Sequence, residues 1–596
     1  MSGKLVADVV VERLRAWNVQ RIFGYSGDGI NTVLGALRRS GEIDFVQARH
    51  EENAAFMAVG HAKYTGEVGV MLSTQGPGAV HLLNGLYDAK MDGVPVVAIV
   101  GQQSRSVLGS AYMQEIDLLN LTRDVASSFR QQINSPEQVP LVLDRAFKSA
   151  LATRSPAVVI LPHDVQKEPA PELDQEHGIL STAPVWRPAH AAPAADDVAA
   201  AARLLNEAQR PALLVGQGAR HAQEQVQALA EKIGAGITTS LQGKPYIDES
   251  HPLAAGTMGH LGTASSGWML DNCDALLIIG SNDPWTEFYP APGQARAVQI
   301  DVNPAAIGNR YPVEVALPGD AAAALDALLP QLEERPESPW RARVEEAVRR
   351  WHRLAAERAQ VPARPVNPEQ VVAELSARLP ENAQVAVDVG SCVYWYARQL
   401  RLPAGVPAHL SSTLASMGCS VPYGIAAKLA APDRPVVALS GDGAMQMAGL
   451  TELITLSRLW PDWADPRFVV CVFNNRELTE VTWEQREMEG DPRYPESQAL
   501  PDFRYAAYAE LLGLAGRTVE DPADLAAAWD DALDADRPFI LEVLTDPEIP
   551  LLPPFPGGAA QGESMLEALA QEPDTGHAVE LLRTYLDQEQ GLMDGI

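Results

Sequence analysis

Two short apolar runs near the carboxyl end, PVVALS at 435–440 and RFVVCVF at 467–473, are continuous and rich in β-branched residues. That is the pattern of strands buried on both faces. The stretch between them, 445–460, carries apolar residues at helical spacing, so the unit predicts a βαβ crossover turned at its first strand end by Gly441-Asp442-Gly443. The same order occurs earlier: a helix ending near Gly60, the strand VGVMLS, Gly76-Pro77-Gly78, the helix HLLNGLYDAKM and the strand PVVAIV up to Gly101. Gly60 and Gly424 lie 364 residues apart, and Gly76 and Gly441 lie 365 apart, so one α/β unit is used twice. A middle body has its own buried-strand runs, PALLVG, ALLIIG and AVQIDV. Alanine- and proline-rich passages at 181–195 and 334–368, the second enclosing one charged helix, divide the chain. The expected architecture is α/β, with three doubly wound parallel-sheet domains at 1–180, 190–330 and 365–550 and a tail at 551–596.

Length and charge narrow this picture. A chain of 596 residues is too long for one core, and a net charge of −31 argues against nucleic acid and against docking on anionic lipid. Cys273, Cys392, Cys419 and Cys471 are scattered without metal-ligand spacing, as expected in a reducing cytoplasm. The first residues form an amphipathic helix pattern rather than a leader, and no apolar stretch reaches membrane-spanning length.

The chemistry concentrates at strand ends. In a βαβ unit the two strand ends lie side by side, so Asp442 and Asn475, the second residue of the Asn474-Asn475 pair, converge at the carboxyl edge of the sheet. Glycine amides and a helix N-terminus there offer donors to phosphate, and a carboxylate beside an amide oxygen suits Mg²⁺. Gly27-Asp28-Gly29 has no matching asparagine pair and reads as a turn.

Gly441-Asp442-Gly443 followed by Asn474-Asn475 after 30 residues resembles the diphosphate and metal signature of thiamine diphosphate enzymes. The resemblance implies that Asp442, Asn475 and the carbonyl of Glu477 hold Mg²⁺, with Gly441, Gly443 and Ala444 at the diphosphate. In Arg49-His50-Glu51, ahead of a helix at 52–64, Glu51 is similar to the family's cofactor-activating acid, although an acid at a helix start is also favoured by the dipole. Further stretches follow in family order. Gly76 and Gly78 lie in TQGPG, Gln114 is expected to face the active centre, Asp388, Gly390 and Ser391 to meet the diphosphate, and Met417 to wedge the cofactor. The family places its activating acid and its diphosphate domain on different subunits, which implies a homodimer or homotetramer.

Within the family the chain looks most like the pyruvate oxidase and acetolactate synthase branch, nearest to bacterial pyruvate:quinone oxidases. Gly256 and Gly259, then Gly280 and Asp301, resemble segments that contact FAD; an empty middle domain or one binding ADP are the alternatives. The implied reaction is decarboxylation of a 2-oxo acid, pyruvate first, with electrons passing through FAD to a quinone or other acceptor. The alternatives are an acetolactate synthase-type carboligase and a non-catalytic binding protein that kept the fold. One departure stands out. The oxidases carry an aromatic five residues after the second asparagine and a glutamate nine after it; here these are Glu480 and Glu484, with Trp483 as a substitute ring. Glu484 fits as an active-site acid, while Glu480 introduces a charge that is costly if buried unpaired. The tail opens with PPFPGG and ends in an amphipathic helix pattern at 577–586. It lacks a basic rim, which predicts packing on the protein's own surface rather than on lipid.

Overall fold

The structure, a computed structural model, describes residues 3–171, 177–554 and 559–596. It contains three six-stranded sheets whose strand pairings are all parallel. The first is built from β1 (Arg21–Gly24), β2 (Asp44–Gln47), β3 (Gly69–Ser73), β4 (Val96–Gln102), β5 (Phe129–Gln132) and β6 (Pro156–Pro162) in the order β2-β1-β3-β4-β6-β5. The second holds β7 (Pro211–Val215), β8 (Gly236–Thr239), β9 (Ala254–Thr257), β10 (Ala275–Ile279), β11 (Arg296–Asp301) and β12 (Val315–Pro318), ordered β12-β11-β10-β7-β8-β9. The third holds β13 (Gln384–Val387), β14 (Ala408–His409), β15 (Val436–Gly441), β16 (Phe468–Asn474), β17 (Ala515–Val519) and β18 (Phe539–Leu544), ordered β14-β13-β15-β16-β18-β17.

The first and third orders are the same pattern shifted by twelve strands, and the repeated unit of the sequence maps onto β3–β4 and β15–β16. The equivalent helices Glu51–Thr65 and Ser420–Ala430 pack on one another at a glycine: a Cβ on Gly60 would stand 3.0 Å from Tyr423 Cα. Phe56, Tyr423, Ala426 and Val470 consequently share one core across the two sheets. The middle sheet keeps a core of its own, bounded by the helix Pro339–Arg358 through Trp340 and Val344.

Several sequence expectations are refined. The helix after Gly441 is not regular: a π-helical turn, Met445–Gly449, precedes the α-helix Leu450–Leu459. The helix after Gly76 breaks at Leu82 into Pro77–His81 and Leu83–Met91. Gly27-Asp28-Gly29 forms a 3₁₀ turn, Asp28–Ile30, at the end of β1. Of the PPFPGG segment, 555–558 lie outside the described residues. The tail helix Gly576–Glu589 buries Ala578, Leu581, Leu582 and Tyr585 against the third domain, and Glu572 receives both nitrogens of a forked ion pair from buried Arg486. No described helix is long and apolar enough to cross a membrane.

Candidate active site

In open α/β sheets ligands bind in the crevice at a point where the strand order reverses. In the third sheet such a crevice lies between β13 and β15, where Asp388 follows one strand and Gly441 ends the other. The expected glycine turn is not left-handed. Gly441 is extended at φ −77°, and the chain passes directly from β15 into the helix Asp442–Ala444. What Gly441 supplies is space: a Cβ there would meet nothing within 4 Å. Gly390, at φ +128° ahead of the helix Ser391–Arg398, is open in the same way. Two bare glycines at adjacent strand ends, each opening a helix, form a cradle that fits a diphosphate.

Asp388 closes this cradle from behind. Its buried carboxylate accepts from the N–H of Gly418 at 2.7 Å, from those of Val389 and Ser420 at 3.0 Å, and from the Ser420 hydroxyl at 2.6 Å. It therefore positions the segment carrying Met417, whose Cε lies 3.1 Å from where a Gly443 Cβ would stand.

The metal candidates come together as the spacing predicts. Asp442 is buried, and its carboxylate accepts from the N–H groups of Gly443 at 2.9 Å, Asn475 at 3.0 Å and Arg476 at 2.5 Å. Arg476 sits at φ +58°, a left-handed turn that wraps the Asn475–Glu477 segment around the carboxylate. Asn475 Oδ1 accepts from Glu477 N–H at 3.0 Å, and the Glu477 side chain is held away by Thr482 at 2.6 Å and Arg493 at 2.8 Å, leaving its carbonyl as the donor that suits a cation. Burial raises the proton affinity of Asp442 to about 7 against the pull of these N–H groups. A hard divalent cation beside it would reverse that shift, so oxygen donors and electrostatics together fit Mg²⁺.

Glu51 begins the helix Glu51–Thr65, and its Oε2 lies 2.9 Å from His81 Nδ1. Gly78 leaves room for it: a Cβ there would stand 3.2 Å from Glu51 Oε1. Gly76, at φ +59°, lies against Gln114, itself exposed and left-handed at φ +62°. Gln75 bridges the group, donating to Gln114 at 3.0 Å and to Asp28 at 3.1 Å. Folding alone brings His81 to Glu51 and Asp28 and Gln114 to Gln75, relations that no local sequence pattern carries. Glu452 joins the neighbourhood of Glu51 to the third domain, accepting from Arg49 N–H at 2.8 Å and Asn53 at 3.0 Å. Among the described residues no hydrogen bond or ion pair links Glu51 itself to Asp442 or Asn475.

In the middle sheet the crevice lies between β7 and β10. Gly218 and Gly280 touch there; a Cβ on Gly280, at φ +58°, would stand 2.4 Å from Gly218 Cα. The run PALLV followed by Gly216-Gln217-Gly218 carries in the sequence the signal for this strand end. Gly218, Gly280, Asn282, Asp301 and Asn303 line a cavity of about 550 Å³ shared with Lys63 and Arg154 of the first domain. Its size and its acid at a strand end fit a nucleotide moiety such as that of FAD. Gly256 and Gly259, at φ +92° and +89°, are not brought to that cavity as the sequence suggested: they lie at and after the end of β9, where a Cβ on Gly259 would meet Trp285 at 2.8 Å.

Beyond Asn475, the helix Thr479–Glu484 runs into a second π-turn, Gln485–Glu489. Glu484 is half-buried with its proton affinity raised by desolvation. Trp483 does not serve as a substitute ring: it is fully buried in the third-domain core, with its indole N–H on Pro547 O at 3.0 Å.

Known proteins agree with this geometry. Three profiles match in chain order: the thiamine pyrophosphate enzyme N-terminal TPP binding domain at 4–121, the central domain at 198–328 and the C-terminal TPP binding domain at 388–543. The Bacillus subtilis protein YdaP, whose name refers to thiamine pyrophosphate alone, is 34% identical over 565 residues, 95% of each chain. Escherichia coli acetolactate synthase isozyme 2 large subunit is 32% identical over 575 residues, covering 95% of this chain and 100% of that one. Lactiplantibacillus plantarum pyruvate oxidase is 31% identical over 445 residues, 74% of this chain and 73% of that one. With all three domains matched and the strand-end chemistry in place, the chain belongs to the thiamine pyrophosphate-dependent enzymes, in the branch that holds pyruvate oxidase and acetolactate synthase.

Proposed function

We propose that this enzyme decarboxylates a 2-oxo acid of the pyruvate class with thiamine diphosphate and Mg²⁺ and passes the electrons through FAD to a quinone or another acceptor. The cofactor supplies the carbanion and the electron sink; the protein binds, orients and moves protons. Asp442, Asn475 and the Glu477 carbonyl hold the cation, the Gly390 and Gly441 cradle takes the diphosphate, and Met417 supports the ring system. Glu51, beside His81, holds or moves a proton at the cofactor's activating end.

The observation that carries the oxidase side is Glu484, a desolvated acid nine residues beyond Asn475, at the position where the oxidases carry one. The middle-domain cavity supports FAD. A homodimer or homotetramer is part of the proposal. Tyr112 and Met113 beside Gln114, and Met447 and Val481 beside the Asp442 cradle, are large apolar side chains left exposed on the single chain. A partner's acid domain would cover them and bring its Glu51 to this chain's diphosphate cradle.

The test is the absorption spectrum of the purified protein, then anaerobic addition of thiamine diphosphate, Mg²⁺ and a panel of 2-oxo acids that includes pyruvate. Flavin bleaching with CO₂ release is expected. Acetolactate accumulating while any flavin stays oxidised would assign the carboligase reaction instead.

A further inference from the structure

The departure at Glu480 belongs to a larger cluster. Glu480, Glu484 and Glu487 all act electrostatically on the hydroxyl of Tyr394, from the helix Ser391–Arg398. That hydroxyl is buried, with Tyr394 1% exposed, and has no hydrogen-bond partner. Across the domain boundary Glu487 lies 3.9 Å from His260 Nε2, and the His260 ring is stacked on Trp285 at 5.3 Å and edge-on to Tyr394 at 5.9 Å. On the same stretch Trp483 lies in the third-domain core and Arg486 pairs with Glu572 of the tail. The three carboxyls thus share the surroundings of the Tyr394 hydroxyl, and Glu487 also faces the middle domain through His260.

Among the described residues no lysine or arginine forms an ion pair with any of the three; the one ion-pair partner is His260. Burial lowers the proton affinity of His260 to about 4, with help from Arg398, so at neutral pH it brings no positive charge. Arg398 is itself engaged by Glu589 at 3.1 Å. Nearby Arg493 and Arg486 are bound to Glu477 and Glu572. Carboxyls gathered without a cation beside an orphaned phenol lack a positively charged partner. Trp285, 38% exposed, stacks on His260, the residue that faces Glu487, and brings an aromatic ring to the edge of the cluster.

From this arrangement we infer that Glu480, Glu484 and Glu487, with Tyr394 and Trp285, form a recognition pocket for a cationic side chain, guanidinium or ammonium, on the 2-oxo acid substrate. The inference rests on the 2-oxo acid reading above and narrows it. The charge that replaces an aromatic at position 480 selects a cationic side chain over the methyl of pyruvate. Desolvation, with Glu484 adding repulsion, raises the proton affinity of Glu480 and of Glu487 to about 8. A cation must displace those protons, so its affinity rises with pH across that range while the neutral His260 and the phenol of Tyr394 stay unchanged.

Calorimetric titration of the full-length protein with 5-guanidino-2-oxopentanoate and with 2-oxohexanoate, a neutral analogue, tests this without requiring turnover. At least about tenfold tighter binding of the guanidino acid is expected. The preference should be larger at pH 9 than at pH 7, and it should be lost in both Glu480→Gln and Glu487→Gln once each variant is shown to melt cooperatively. Equal affinity for the two acids, or a preference that survives both substitutions, would overturn the inference. CO₂ release from pyruvate alongside such a result would leave the enzyme reading standing. A clear guanidino preference without CO₂ from any acid would uphold the pocket and overturn the decarboxylase.

Discussion

At the scale of single residues, function follows from how burial and the backbone prepare a few oxygen atoms. Glu51 is 8% exposed, with His81 as its partner, and Glu51→Gln keeps the shape while removing the acid. Turnover should fall by about 10²–10⁴-fold with an unchanged melting temperature, measured as CO₂ release and by calorimetry on one preparation. Asp442 gives a second expectation with a definite sign. Its carboxyl holds a proton up to about pH 7 until a cation replaces it, so Mg²⁺ affinity should weaken as pH falls from 8 to 6 and hold steady above 8. Titrating Mg²⁺ into protein with thiamine diphosphate at several pH values reads this directly. An affinity independent of pH would remove Asp442 from the metal site.

At the scale of elements, the site depends on close approaches that only missing side chains permit. Gly418, at φ +92°, sits where a Cβ would lie 2.6 Å from the Ala448 Cβ, so Gly418→Ala strains the backbone and pushes the Met417 segment off the π-turn. A loss of about 1–3 kcal/mol is expected, read by urea unfolding. The acid-bearing helix after Asn475 makes an opposite prediction. Desolvation raises the Glu480 proton affinity from 4.5 to about 8, so its contribution to stability is fully present below about pH 4.5 and lost as pH climbs toward 8. Glu480→Gln should therefore raise the melting temperature of the ligand-free protein at pH 8 and leave it unchanged at pH 4.5. A shift of equal size at both pH values would show that packing, not charge, governs that position.

At the scale of the whole molecule, the tail is a structural part of the third domain. Met565, Leu569, Leu582 and Tyr585 lie in its core, and Glu589 neutralises Arg358 and Arg398, both buried. Ending the chain after residue 552 would expose that apolar surface and leave two buried guanidinium groups without their acid. The shortened protein is expected to unfold or aggregate rather than lose only an accessory function. A soluble truncated chain with an unchanged melting profile would show the tail to be separable. The first and third sheets share a core at Gly60 and Tyr423, so disruption there should unfold both together, while the middle sheet has a core of its own.

The sequence by itself determined the α/β class, the duplicated unit and the pairing of Asp442 with Asn475. Each of these is local: buried parallel strands read as continuous apolar runs, and a βαβ crossover brings consecutive strand ends together whatever surrounds it. It could not show that Gly441 serves by leaving open space rather than by turning, since that depends on how β15 is aimed at its helix. Nor could it seat His81 on Glu51, bury Trp483 away from the site, or gather three glutamates around Tyr394 against His260 of another domain. Those relations join residues from separate elements, and one of them crosses a domain boundary. Only tertiary packing fixes their distances, and with them the desolvation that turns ordinary carboxylates into acids matched to a ligand.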